Sequence, residues 1–257
     1  MLHLLGTGLR GIKSITIEEL DIILKADKVY VENYTSISPE DLISSLKDRY
    51  GIEAEPVKRD DVEGEEKILS FAREHDICVL VVGDPLSATT HNQLRLSALN
   101  NGIDVELVEN ASIVTTAPAK AGFLLYKMAP PVSLPFLSEK FLPKSILLKI
   151  KRNLELGFHT LVLLDLKEGK TMYPEEAVRG LMTLEETYNI GAVNEDSMIC
   201  VLSNISQPGE RIIFDCVRNL LDYRDETSPT VLIIPSKLDD TEDRFVKAFS
   251  KTVNQLK

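Results

Sequence analysis

The chain has 257 residues, 44% of them hydrophobic, which is enough to bury a full core without a disulfide or metal staple. Its formal charge of −11 excludes a sequence-independent grip on nucleic acid, which needs a basic footprint, and points to a protein or small-molecule partner. No apolar run approaches membrane-spanning length, and the opening MLHLLGTG is too short and lacks the basic start of a signal peptide, so a cytoplasmic, reducing location is expected.

The first 110 residues alternate strand and helix. Residues 1–5 (MLHLL) read as a strand. Residues 16–26 read as a helix that opens on a capping box formed by Thr16 and Glu19. A strand over 28–34, a helix over 38–51 and a short strand over 53–57 follow. A helix over 63–75 then leads into the strand ICVLVVG. The run 77–82 shows no polar alternation, so both of its faces should be covered. A helix over 91–101, capped by Thr89 or Thr90 and ended by Gly102, and a strand over 103–109 complete an amino-terminal domain, 1–110. Repeated β-α units of this kind specify a mostly parallel sheet with helices on both faces.

The rhythm changes after Asn110. Residues 110–137 hold four prolines among small residues and read as a crossing into a second domain, 111–257. There, a helix is expected over 145–157, a strand over 159–166 and a helix over 174–189. Strands follow over 197–204, over 210–217 (running into a short helix) and over 230–236, and a closing helix covers 240–256. The hairpin-like strand neighbours predict a mixed sheet. Cys78, Cys200 and Cys216 each sit among apolar residues and read as core, and His3, His75, His91 and His159 have no ligand-like spacing, so no metal site is expected.

The chemistry concentrates where the innermost strand stops, at Gly83-Asp84-Pro85. Pro85 pushes Asp84 toward extended angles, and Ser87, Thr89 and Thr90 add hydroxyls. Open α/β sheets hold ligands at the carboxyl ends of their strands. No Lys or Arg lies between Cys78 and Leu94, so a cation or sugar diol suits this corner better than a phosphate. Residues 6–11, GTGLRG, match the dinucleotide pattern G-x-G-x-x-G, with Glu32 about twenty residues on. In that pattern the last glycine opens the helix that takes the pyrophosphate, whereas here the capping box sits several residues beyond Gly11. The glycines therefore read as a loop that lets a ligand approach the backbone.

LLGTGLRG, VENYTS (31–36), KRDDVE (58–63), GDPLSATTHNQL (83–94), NASI (110–113) and GFHTLVLLDLK (157–167) together resemble the diphthine synthases, a family of the tetrapyrrole-methylase superfamily, in order from Met1 to about residue 240. The resemblance implies a two-lobed α/β methyltransferase, usually a homodimer, with S-adenosylmethionine held in the cleft between the lobes and S-adenosylhomocysteine as product. Its implied acceptor is the 3-amino-3-carboxypropyl-histidine of translation elongation factor 2, whose amino group is methylated successively in diphthamide biosynthesis. Carried across position by position, the family's cofactor contacts fall on Leu9, Asp84, Ser87, Ser112, Ile113, Leu164, Ile205 and Thr230. The chain departs from the family with LSNISQ (202–207) in place of a LARAGS-like segment and IPSKLD (234–239) in place of VPGKLH. A tetrapyrrole C-methyltransferase, or a binding protein on the same fold, is the alternative.

Methyl transfer from a sulfonium releases a neutral thioether, so the acceptor need only be a free amine and no obligatory acid or base is expected. Alignment of the reactants alone is worth about 7–11 kcal/mol. Tyr34 or Tyr126 would suit a methylammonium by cation–π contact.

Overall fold

The computed structural model describes residues 1–32, 34, 36–37, 41–64, 66–167 and 169–256; Asn33, Thr35, Glu65 and the expected helix start at 38–40 lie outside the described residues. The chain forms two compact units, Met1–Ile113 and Val114–Lys257.

The first unit runs β1 (Leu2–Gly6), α1 (Ile17–Ile23), β2 (Lys28–Glu32), α2 (Leu42–Tyr50), β3 (Ala54–Val57), α3 (Arg59–Glu63), α4 (Glu66–Ala72), β4 (Ile77–Val81), α5 (His91–Asn100) and β5 (Val105–Val108). Its strands pair in the order β3-β2-β4-β1-β5, and every pairing is parallel. Side chains alternate across a strand, so two separate cores form. Leu2, Leu4, Tyr30, Ile77, Val79 and Val81 pack into one, and Leu5, Val29, Val31, Cys78 and Leu80 into the other. β4 is fully buried, as its unbroken apolar run requires. Burial pushes the Cys78 thiol up to about 12, which makes it an inert core residue.

In chain order the rest comprises α6 (Ile113–Ala121), β6 (Val132–Leu134), α7 (Ser145–Glu155), β7 (Thr160–Leu164), β8 (Leu166–Lys167), β9 (Lys170–Thr171), α8 (Pro174–Tyr188), β10 (Met198–Ser203), β11 (Arg211–Cys216), α9 (Val217–Leu220), β12 (Thr230–Ile234) and α10 (Asp240–Phe249). The second unit's sheet has the order β11-β10-β12-β7-β6. Its first three pairings are antiparallel and β6 joins β7 in parallel, the mixed sheet that the hairpin-like neighbours imply.

Several elements differ from the sequence expectation, among them α3 and the β8–β9 hairpin, which it does not contain. The segment 110–137 is no plain crossing, since it contains α6 and the edge strand β6. Pro118 lies inside α6, where its missing N–H argues against helix, yet burial of Ala117, Pro118 and Ala121 outweighs that loss. The closing helix stops at Phe249 rather than near residue 256. There Ser250 Oγ turns back to the Val246 carbonyl at 2.6 Å, and Lys251 joins β11 through Phe214 N–H (2.8 Å) and the Ile212 carbonyl (2.9 Å). Sheet pairing therefore takes over from a continuous helical pattern. The helix expected over 63–75 is divided, with α3 ending at Glu63 and α4 beginning at Glu66.

Candidate active site

The carboxyl edge of the first sheet gathers the glycine loop, the GDP turn and NASI. β1 ends at Gly6, and Thr7 N–H donates to the Val81 carbonyl at 2.8 Å. Gly8 and Gly83 then exchange two backbone hydrogen bonds, of 3.0 and 2.9 Å, which clamp the glycine loop to the GDP turn. Both glycines have positive φ, +57° and +83°, a region open to glycine at little cost. Gly11–Ser14 forms a single 3-10 turn, and α1 begins only at Ile17, so no long helix opens on these glycines. The capping box has the predicted geometry: Thr16 N–H donates to Glu19 Oε2 at 2.6 Å, and Glu19 N–H to Thr16 Oγ1 at 3.1 Å.

Asp84 is half-buried beyond the end of β4. Its Oδ1 accepts the Leu86 N–H at 3.1 Å, while Oδ2 has no hydrogen-bond partner among the described residues. Ala88 takes a left-handed φ of +61°, a strained value for an L-residue, directly after the half-buried Ser87. The expected cap on α5 is absent. Thr90 makes no side-chain cap bond, and Thr89 Oγ1 donates to the Pro85 carbonyl at 2.7 Å, bracing the loop instead of the helix.

Asn110 is the hub that sequence reasoning missed. Its Nδ2 donates to the Gly6 carbonyl (3.0 Å), the Ser14 carbonyl (2.9 Å) and the Glu19 carboxylate (3.1 and 3.2 Å). Its Oδ1 accepts the Ala111 N–H at 2.8 Å, just before the buried Ser112 and the half-buried Ile113. Glu19 is 1% exposed, and desolvation raises its carboxyl pKa above the ordinary 4.5. The capping-box pattern flagged Glu19, but no sequence signal joined it to Asn110. Five of the expected cofactor residues, Leu9, Asp84, Ser87, Ser112 and Ile113, thus fall in segments that follow the carboxyl ends of neighbouring strands β1, β4 and β5.

The other three share one edge of the second sheet. Leu164 ends β7, Thr230 begins the antiparallel β12, and Ile205 lies just past the end of β10, where Ser203 pairs with Thr230. The Thr230 hydroxyl is already engaged, donating to the Thr227 carbonyl at 3.1 Å and lying 2.9 Å from Ser203 Oγ. Ile205 is buried between two left-handed residues, Asn204 (φ +54°) and Ser206 (φ +70°). Left-handed strain is about 1–2 kcal/mol for an ordinary L-residue, and glycine returns part of that as chain entropy. Ser206→Gly is therefore expected to raise stability by about 0.5–1 kcal/mol, read as a higher urea midpoint at constant m. The Ser206 N–H bond to Glu210 Oε2 is retained.

Of the two tyrosines suggested for cation–π contact, Tyr34 already has the Arg59 guanidinium over its ring, 5.3 Å from the centroid, and Tyr126 is 84% exposed in the second unit. Among the described residues no His, Cys, Asp and Glu group can hold a metal ion, and no helix is long and apolar enough to cross a membrane.

The family model of the tetrapyrrole (corrin/porphyrin) methylases matches residues 1–220. The chain is 43% identical over 256 residues to a diphthine synthase of Thermoplasma acidophilum, covering 100% of this chain and 98% of that one. It is 33% identical over 269 residues to a diphthine methyl ester synthase of Yarrowia lipolytica, covering 97% and 89%. Superposition on a crystal structure of diphthine synthase gives a TM-score of 0.88 at 25% identity, covering 100% of this chain and 98% of that one.

Proposed function

Since the chain belongs to the tetrapyrrole methylase family and matches diphthine synthases along its whole length, we propose that it methylates the amino group of a 3-amino-3-carboxypropyl-histidine on translation elongation factor 2, in successive rounds. It is an S-adenosylmethionine-dependent methyltransferase, and the bound donor would supply an electrophilic methyl group. Supporting the reading is the corner at Asp84: a half-buried carboxylate with one oxygen uncommitted among the described residues, Ser87 beside it, and glycines through Gly8 that keep side chains out. This donor set fits a ligand that is cationic and carries a diol, and it would repel a polyphosphate. In this reading Asp84 and Ser87 hold polar atoms of the donor, and Leu9, Ser112 and Ile113 line it. Assembly as a homodimer belongs to the same proposal.

Asp84→Ala removes the carboxylate while giving up one internal hydrogen bond, to Leu86. It is expected to weaken donor binding by about tenfold or more, roughly 1.4 kcal/mol, with less than about 1 kcal/mol lost from stability. Calorimetric titration with S-adenosylhomocysteine checks the affinity. Methyl transfer from labelled donor to elongation factor 2 bearing the aminocarboxypropyl histidine checks the activity. No donor binding by the wild-type protein would defeat the reading.

A further inference from the structure

The loop after the GDP turn is anchored at both ends. Pro85 is buried, with its Cδ 3.0 Å from the place a Cβ on Gly6 would take, so it packs against the end of β1. At the other end His91, 0% exposed, opens α5. Residues 86–90 between them form neither helix nor strand. Leu86 N–H donates to Asp84 Oδ1 at 3.1 Å and Ser87 N–H to the Asp84 carbonyl at 3.4 Å, which sets the turn. The shortest bond is the last: Thr89 Oγ1 donates to the Pro85 carbonyl at 2.7 Å and closes a ring over the intervening residues. Ala88 lies inside that ring at a left-handed φ of +61°. An L-residue stays left-handed only where its surroundings over-determine it. Ala88 is exposed, so packing does not hold it there, and the brace from the next residue does. That hydroxyl serves the loop although α5 begins without a side-chain cap from Thr90.

Ser87 sits directly before the left-handed position. With Pro85 and His91 both anchored, a return of Ala88 to right-handed angles cannot be absorbed at either end and would swing Ser87 out of place. We infer that Thr89 is a positioning residue for donor binding: its hydroxyl, bonded to the Pro85 carbonyl, holds Ala88 left-handed and so presents Ser87 beside Asp84 before the donor arrives. Thr89 itself need not touch the donor. A loop already in its bound shape raises affinity because no ordering cost is added on binding. In a reaction of successive rounds the donor site refills for every methyl group transferred, and a loop that keeps its shape when empty offers the same contacts each time. The inference rests on the donor reading above, in which Asp84 and Ser87 are the polar contacts. It adds Thr89 and Ala88, which are not among the expected contacts.

The test compares full-length wild type, Thr89→Val, Thr89→Ser and Ala88→Gly, with S-adenosylhomocysteine as the probe. Thr89→Val keeps the side-chain shape and removes the hydroxyl, and calorimetry should show binding weaker by about tenfold. Thr89→Ser keeps the hydroxyl and should stay within about threefold of wild type. Ala88→Gly separates positioning from folding. Glycine takes left-handed angles without strain, so its urea midpoint should be no lower than that of wild type, yet the loosened loop should bind about threefold more weakly. With no ligand present, hydrogen exchange at the Leu86 and Ser87 amides should quicken in Thr89→Val while the β4 amides keep their protection. In turnover with labelled donor and the modified elongation factor, Thr89→Val should raise the donor KM about tenfold and leave kcat within about threefold. Unchanged affinity in Thr89→Val, a Thr89→Ser protein as weak as Thr89→Val, or an Ala88→Gly protein that binds as tightly as wild type would overturn the inference. If Thr89→Val does not fold, Ala88→Gly carries the comparison. Absence of donor binding by wild type would instead overturn the functional reading, and this inference with it.

Discussion

Gly6→Ala is expected to destabilise the protein by about 2–3 kcal/mol and to abolish measurable donor binding. A Cβ at Gly6 would lie 2.6 Å from the Gly83 carbonyl oxygen, 2.8 Å from Asn110 Cβ and 3.0 Å from Pro85 Cδ. None of these is the free end of a flexible side chain. Relief would mean moving the GDP turn away from β1, and the Gly8–Gly83 backbone pair would then break. The turn that carries Asp84 would move with it, so stability and affinity fall together. Gly51→Ala is the control. It sits at the left-handed end of α2 with nothing within 4 Å of the added carbon. That change should cost about 1 kcal/mol and leave donor affinity intact. Urea unfolding and calorimetry of the two variants read both quantities. A Gly6→Ala protein that bound donor normally would mean that the glycine loop does not shape the site.

What could be read from the residues follows from how local the physics is at each place. The unbroken apolar run of β4 announced a strand covered on both faces, because one periodicity dictates one burial pattern. The Thr16–Glu19 capping box was legible because both partners lie within a single helical turn. It also displaced the dinucleotide reading of GTGLRG, as the late start of α1 bears out. Non-local choices were opaque. Nothing in the residues around Lys251 announces that pairing with β11 will outcompete another helical turn, and the apolar burial that carries α6 through Pro118 comes from tertiary packing. Within the site, Asp84 could be found from the strand-turn signal alone. Asn110 could not, because its role depends on Gly6, Ser14 and Glu19 converging from 91 to 104 residues away.

Asn110→Asp should be among the most damaging conservative changes in the first unit, costing about 3–5 kcal/mol at neutral pH. The wild-type amide gives its two N–H groups to the Gly6 and Ser14 carbonyls and to the Glu19 carboxylate. The variant withdraws those donors and sets a second carboxylate against one that is already 1% exposed. Its instability carries a pH signature. Glu19 already has a folded-state pKa above 4.5 because burial disfavours its charge, and a neighbouring anion raises it further. The folded state then binds more protons than the unfolded state over the interval between 4.5 and that raised value, so stability is greatest below the interval and is lost as pH rises through it. Asn110→Asp should therefore regain much of its lost stability as the pH is lowered toward about 5. Asn110→Ala removes the donors without adding charge, and its loss of about 1–3 kcal/mol should vary far less with pH. Chemical denaturation of the three proteins at several pH values separates the terms. If the Asp and Ala variants lost equal stability at every pH, Glu19 would not be the partner that Asn110 satisfies. The glycine loop would then owe its shape to the Gly8–Gly83 backbone pair alone.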